Sequence, residues 1–225
     1  MVLKYELFLL ILFFLSKNLK AKKISHLIDN HISEIYLTIK GSGEHKICNI
    51  EPSGVIVNEI YRNDCKTTCD LDKEENNIIL IFNETIESCY SMFNSLVNIT
   101  KVDLSNFDTS LVTDMSFMFN FAENLENVNF GNINTSSLKR MRALFQSCYN
   151  LISIDLSNFD TYHVTDISRM FSQCEKLEII NLGNINTSSV KNMNSLFHKC
   201  YILKSFDSSN FDTSHVTDMG FMFNF

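Results

Sequence analysis

Residues 151–176 read LISIDLSNFDTYHVTDISRMFSQCEK. In its first part, Ile154 and Leu156 alternate with Ser153 and Asp155. A period of two reads as a strand with one buried face. In the second part, apolar residues fall at Val164, Ile167, Met170, Phe171, Cys174 and, just beyond, Leu177. Steps of three and four read as one face of a helix, with Thr165 and Asp166 placed to cap its start. The stretch therefore predicts strand, turn, short helix and return.

Neighbouring stretches repeat it. Phe93, Phe119, Phe145, Phe171, Phe197 and Phe223 are each 26 residues apart, with no insertion. Asn106, Asn132, Asn158, Asn184 and Asn210 keep the same step, as do Thr109, Thr135, Thr161, Thr187 and Thr213. A period of 26 lies within the leucine-rich-repeat range and outside those of ankyrin, tetratricopeptide and propeller repeats. No unit can bury its apolar faces alone, so stacking must supply the core. The expected fold class is α/β: a leucine-rich-repeat solenoid with a parallel sheet and one short helix per repeat. Such a solenoid is expected to curve and present an extended concave surface.

The motif Leu-Ser-Asn-Phe-Asp-Thr-Ser, followed by Val-Thr-Asp-Met-Ser and Met-Phe, runs from Leu104 to Phe119. It resembles the BspA-type leucine-rich-repeat surface proteins, over about residues 84–225. That resemblance implies a surface location, adhesive or recognition roles, and no enzyme activity. One feature departs from the general leucine-rich pattern. There the asparagine follows the last strand leucine by three residues, whereas Asn158 follows Leu156 by two. The turn chemistry is expected to differ accordingly.

The units also alternate in type, with a super-period of 52. Asp103, Asp155 and Asp207 alternate with Asn129 and Asn181, and Asp108, Asp160 and Asp212 with Asn134 and Asn186. Stacked strands lie about 4.8 Å apart, so a row of aspartates alone would set like charges side by side. Interposed asparagines double the carboxylate spacing to about 9.6 Å, near the Debye length in physiological salt. Arg140 between Asp114 and Asp166 follows the same logic. Carboxylates that far apart cannot share a calcium ion, whose ligands sit at about 2.3–2.6 Å.

Three regions are expected. Residues 1–21 have the parts of a signal peptide: Lys4, an apolar run from Leu7 to Leu15, and Ala21 as cleavage point. Residues 22–83 do not follow the repeat and read as a β-rich cap. Strand candidates there include Ile35 to Ile39, Val55–Ile60 and Ile78–Phe82, with Asp70 to Asn77 as a polar loop. Residues 84–225 form the repeats, and Met222-Phe223-Asn224-Phe225 matches Met118-Phe119-Asn120-Phe121 before stopping mid-unit. That predicts a truncated end, with any membrane anchor in missing C-terminal sequence.

The chain has 225 residues and a formal net charge of −7, which disfavours nucleic-acid backbones as partners. Seven cysteines in an exported chain suggest an oxidising compartment. Cys48, Cys65, Cys69 and Cys89 are disulfide candidates for the cap, their pairing open. Cys148, Cys174 and Cys200 read as buried thiols. N-glycan acceptor sequons occur at Asn83, Asn98, Asn134 and Asn186. Nothing collects acid, base and nucleophile together, and no metal or cofactor motif occurs, so catalytic, metal and cofactor sites are all expected to be none. The expected function is non-catalytic adhesion or recognition, secreted or at the cell surface, toward an extracellular protein or glycan. The contact face would be two outward strand rows: Lys101, Asn127, Ser153, Ile179 and Ser205, then Asp103, Asn129, Asp155, Asn181 and Asp207. The alternative is a self-associating coat or matrix component.

Overall fold

The computed structural model describes residues 32–204 and 207–224. The signal-peptide reading of residues 1–21 and the candidate contact residue Ser205 lie outside these. The described residues form ten strands and no helix: β1 (Ser33–Lys40), β2 (Gly43–Lys46), β3 (Gly54–Val57), β4 (Ile60–Tyr61), β5 (Thr68–Leu71), β6 (Glu75–Phe82), β7 (Ile99–Asn106), β8 (Asn127–Asn129), β9 (Ser153–Asp155) and β10 (Ile179–Asn181).

The N-terminal region joins the repeats through β1. Ile35, Leu37 and Ile39 point into the core, while Glu34, Tyr36 and Thr38 face outward. This strand pairs antiparallel with β6 on one side and with β7, the strand of the first repeat, on the other. The resulting sheet has the order β4-β3-β6-β1-β7-β8. The open edge of β7 is thereby covered, and the sheet changes from antiparallel to parallel at β8. Much of the expected loop Asp70 to Asn77 is strand, since β5 runs to Leu71 and β6 starts at Glu75. Beyond β8, the strands β9 and β10 form a separate parallel pair. β8 and β9 are neighbours.

The predicted helix is absent, and the bonding of residues 164–177 shows why. Ile167, Arg169, Phe171 and Gln173 donate their amides to the carbonyls of Asn192, Asn194, Leu196 and His198 in the next repeat, at 2.7–3.1 Å. The amides of Met170, Ser172 and Cys174 close tight turns onto the carbonyls of Ile167, Arg169 and Phe171. Alternate amides thus serve the neighbouring repeat and the local turn, so none is left for an i→i−4 ladder. Arg169 and Gln173 take positive φ, 57° and 64°, which no right-handed helix contains. Thr165 and Asp166 cap nothing helical. Instead Thr165 donates its amide to the Lys139 carbonyl of the preceding repeat, and Asp166 Oδ1 accepts the Ser168 amide in a side-chain-closed turn.

Linked turns and a helix share the same apolar spacing, and Val164, Ile167, Met170, Phe171, Cys174 and Leu177 are all buried. The repeat spacing decides between them. Phe93, Phe119, Phe145, Phe171, Phe197 and Phe223 form one column, with successive ring centroids 5.4–5.8 Å apart. Packed α-helices need about 8–10 Å between axes. At 5.4–5.8 Å, successive repeats have no room for helices.

At two glycines the backbones of successive repeats approach closely. Gly131 and Gly183 have φ of 56° and 53°. A β-carbon there would lie 2.6 Å from Ser105 Cβ and from Ser157 Cα respectively. Serine stands at the equivalent positions 105 and 157, so this alternation is set by a steric demand in every second repeat.

Gln173→Gly separates the two readings by its sign. In a helix it should cost about 1 kcal/mol. At a left-handed position it removes a conformational penalty of about 1–2 kcal/mol, so the variant should unfold at the same or higher urea concentration than the parent.

Candidate recognition surface

The two outward strand rows assemble as neighbours. Lys101 lies opposite Asn127 and Asp103 opposite Asn129; Ser153 lies opposite Ile179 and Asp155 opposite Asn181. All are exposed except Asp103, which is half-buried, and Asp207 is exposed further along. The rows continue across the N-terminal sheet. Asp103 faces Tyr36, Tyr36 faces Ile79, Ile79 faces Ile56, and Ile56 faces Tyr61. One outward surface therefore runs from apolar and aromatic groups to acids and amides. The Tyr36 hydroxyl donates to Glu34 Oε2 at 2.5 Å, and burial, with that carboxylate, pushes the phenol well above its ordinary range.

Asp and Asn in the second row also hold the backbone. Their Oδ1 atoms accept the amide two residues on: Ser105 to Asp103 (2.8 Å), Gly131 to Asn129 (3.0 Å), Ser157 to Asp155 (2.8 Å), Gly183 to Asn181 (3.2 Å) and Ser209 to Asp207 (2.8 Å). Two further columns do the same, as at Asp108 and Asn134 and at Asp114 and Asn192. This is the side-chain-closed turn for which Asp and Asn are suited. The Ser157 hydroxyl and amide, with the Asn181 side chain, hold the Asp155 carboxyl below its ordinary range. The Ser209 amide and hydroxyl do so for Asp207. Arg140 Nε donates to Asp114 Oδ2 at 2.9 Å, on one side of its position between two aspartates.

Sequence reasoning recognised the threonine step without its role. Thr109, Thr135, Thr161 and Thr187 are buried, and each hydroxyl donates to a carbonyl of the next repeat: Asn134, Asp160, Asn186 and Asp212, at 2.7–3.2 Å. Thr135 and Thr161 also accept the amides of Asp160 and Asn186. This buried column links successive turns, whereas Asn158 is exposed and reaches the Gly131 carbonyl. The signal was the exact step itself: a hydroxyl recurring among apolar columns.

The cysteines separate into three kinds. Cys65 and Cys69 form a disulfide. Cys48 and Cys89 are buried thiols, pushed by burial up to about 11 and about 12. Cys148, Cys174 and Cys200 donate to the carbonyls of Phe119, Phe145 and Phe171 at 3.0–3.1 Å. Burial raises all three, Cys200 to about 12. Such thiols are neutral and inert at physiological pH.

Among the sequon asparagines, Asn134 and Asn186 are exposed, and their Oδ1 atoms accept the hydroxyls of Ser136 and Ser188 at 2.8 and 2.7 Å. Asn83 and Asn98 are half-buried, Asn98 with its amide 3.0 Å from His45 Nδ1. Among the described residues, no group of three or more His, Cys, Asp or Glu could hold a metal ion. Among the described residues, no helix is long and apolar enough to cross a membrane.

The family described as "Mycoplasma protein of unknown function, DUF285" matches residues 87–201 and 153–225, more than half of the chain. The chain belongs to this family. No curated protein matches the chain. Among solved structures, a leucine-rich repeat protein from Eubacterium ventriosum ATCC 27560 is similar at 20% identity, with a TM-score of 0.38. The match covers 56% of this chain and 30% of that protein.

Thr161→Val tests the buried hydroxyl column. It keeps the shape but orphans the Asn186 amide and carbonyl, so unfolding free energy should fall by about 1–3 kcal/mol in urea titration.

Proposed function

We propose that this chain is a non-catalytic recognition protein of the BspA-type leucine-rich-repeat class, its repeats stacked as a solenoid, exported to the cell surface or secreted. It binds an extracellular protein or glycan through the outward strand surface. One observation carries this reading: the surface is continuous, from Tyr61, Ile56, Ile79 and Tyr36 through Asp103 and Asn129, with Asp155 and Asn181 beyond. A rigid sheet face is well suited to contact, because its side chains lose little freedom on binding. The turns closed by Asp103, Asn129 and Asp155 add that rigidity. The half-buried Tyr36, Ile56 and Ile79 supply apolar contact area at one end of the surface.

Ile179 supports the same reading. It is 57% exposed in the middle of an otherwise polar row. It would add apolar contact area to the polar row.

The purified chain should select a ligand from a glycan array or a panel of extracellular-matrix proteins. Asp155→Arg with Ile179→Arg should then weaken that ligand at least about tenfold, the effect expected when an interface core is disrupted. Unchanged affinity would remove this face. Particle growth with concentration in light scattering, without ligand selection, would favour the self-associating coat.

A further inference from the structure

A second surface row lies on the turn side, away from the strand face. Its backbone is one ladder. Ser91 donates its amide to Ser116, Phe117 to Arg142, Ala143 to Ser168 and Arg169 to Asn194, each across one repeat boundary at 2.8–3.0 Å. Each repeat offers one large side chain here beside one small one: Tyr90 with Ser91, Phe117 with Ser116, Arg142 with Ala143, Arg169 with Ser168. The large residue alternates between the two columns, so the row zigzags with the same super-period of 52 found in the core. Ser116, Ala143 and Ser168 are buried, while Tyr90 and Arg169 are exposed and Phe117 and Arg142 half-buried.

The large groups touch in sequence. Tyr90 and Phe117 meet edge to face with centroids 5.6 Å apart. The Arg142 guanidinium lies over the Phe117 ring, 5.7 Å from its centroid. Arg142 Nε is shielded from solvent and has no hydrogen-bond partner. Of the described arginines, Arg62 and Arg140 are ion-paired, to Asp64 and Asp114, whereas Arg142 and Arg169 are in no ion pair. Of the acids near this ladder, Asp114 is taken by Arg140, and Asp166 Oδ1 accepts the Ser168 amide. Two uncompensated guanidinium groups thus stand on consecutive repeats of a chain with net charge −7, next to an aromatic pair.

We propose that Tyr90, Phe117, Arg142 and Arg169 form a binding site for an acidic glycan, distinct from the strand face. The rings take the C–H faces of sugar rings, and the guanidinium forks take carboxylate or sulfate groups bidentately. An extended polymer suits the row because binding groups recur once per repeat, at the 5.4–5.8 Å step of the phenylalanine column. A peptide suits it less. The ladder amides are already bonded between repeats, so an added strand would find no free edge to pair with.

The test uses the full chain with heparin, hyaluronate, neutral dextran and poly-glutamate as probes, each measured at two salt concentrations. Either acidic glycan should bind while dextran and poly-glutamate do not. Binding of heparin alone would identify sulfate as the recognised group, and binding of hyaluronate would show that carboxylate suffices. Arg142→Ser with Arg169→Ser should weaken binding about tenfold or more and flatten its salt dependence. Serine occupies the same columns at Ser116 and Ser195, so the variant should fold. Tyr90→Ser with Phe117→Ser should weaken binding and leave the salt dependence intact. Lys176→Ser removes an exposed cation outside both surfaces and should leave acidic-glycan binding unchanged; the strand-face variant is read on the ligand selected there, which keeps the two tests separate. The proposal is overturned if neither acidic glycan binds, if poly-glutamate binds as well, or if the arginine variant binds like the parent.

Discussion

The structure depends on one constraint: on the turn side, every second amide is spent on the next repeat. Phe145 donates to Met170 and Phe171 to Leu196, as any strand would to its neighbour. That bond fixes the separation of repeats at close to strand spacing on both sides. The phenylalanine column, the buried threonines and the cysteine-to-carbonyl bonds all exist at that separation and at no larger one. The cost is local. Two residues in each turn segment, such as Phe117 and Phe121, must sit at positive φ, where non-glycine residues are disfavoured by about 1–2 kcal/mol each. The intervening turns and the bonds between repeats offset that cost.

The same constraint explains the abundance of Asp and Asn. Each repeat reverses direction several times within 26 residues, and a chain that bends so often has amides with no strand or helix to receive them. Asp103, Asp108 and Asp114 each cap one such bend with Oδ1. Their recurrence is first a matter of backbone satisfaction. The alternation with Asn then relieves charge, and the Asn181 amide beside Asp155 illustrates the effect. Arg142 and Arg169, unlike Arg140, are in no ion pair.

Much of this was legible in the sequence. The 26-residue step placed the phenylalanines in one column, and alternation placed β9 around Ile154 and β1 around Leu37. The inward and outward faces of those strands also followed. The helix did not, because a buried residue every three or four positions is the signature of a helix and of consecutive tight turns alike. Identical Phe, Cys and Thr residues at an invariant step carry the correction: like residues stack directly on like when the repeats are a strand width apart. The strand-face residues were found by periodicity. The Tyr90–Phe117–Arg142 row was not, since its members alternate between two columns and share no residue type. The antiparallel seal of β1 on β7 was equally hidden, because pairing partners some sixty residues apart leave no local mark.

The most direct measurement is a through-hydrogen-bond NMR coupling from the Phe145 amide nitrogen. A correlation to the carbonyl carbon of Met170, twenty-five residues ahead, is the expected result. A correlation to the carbonyl of Met141, four residues behind, would mean a helix and would contradict the account.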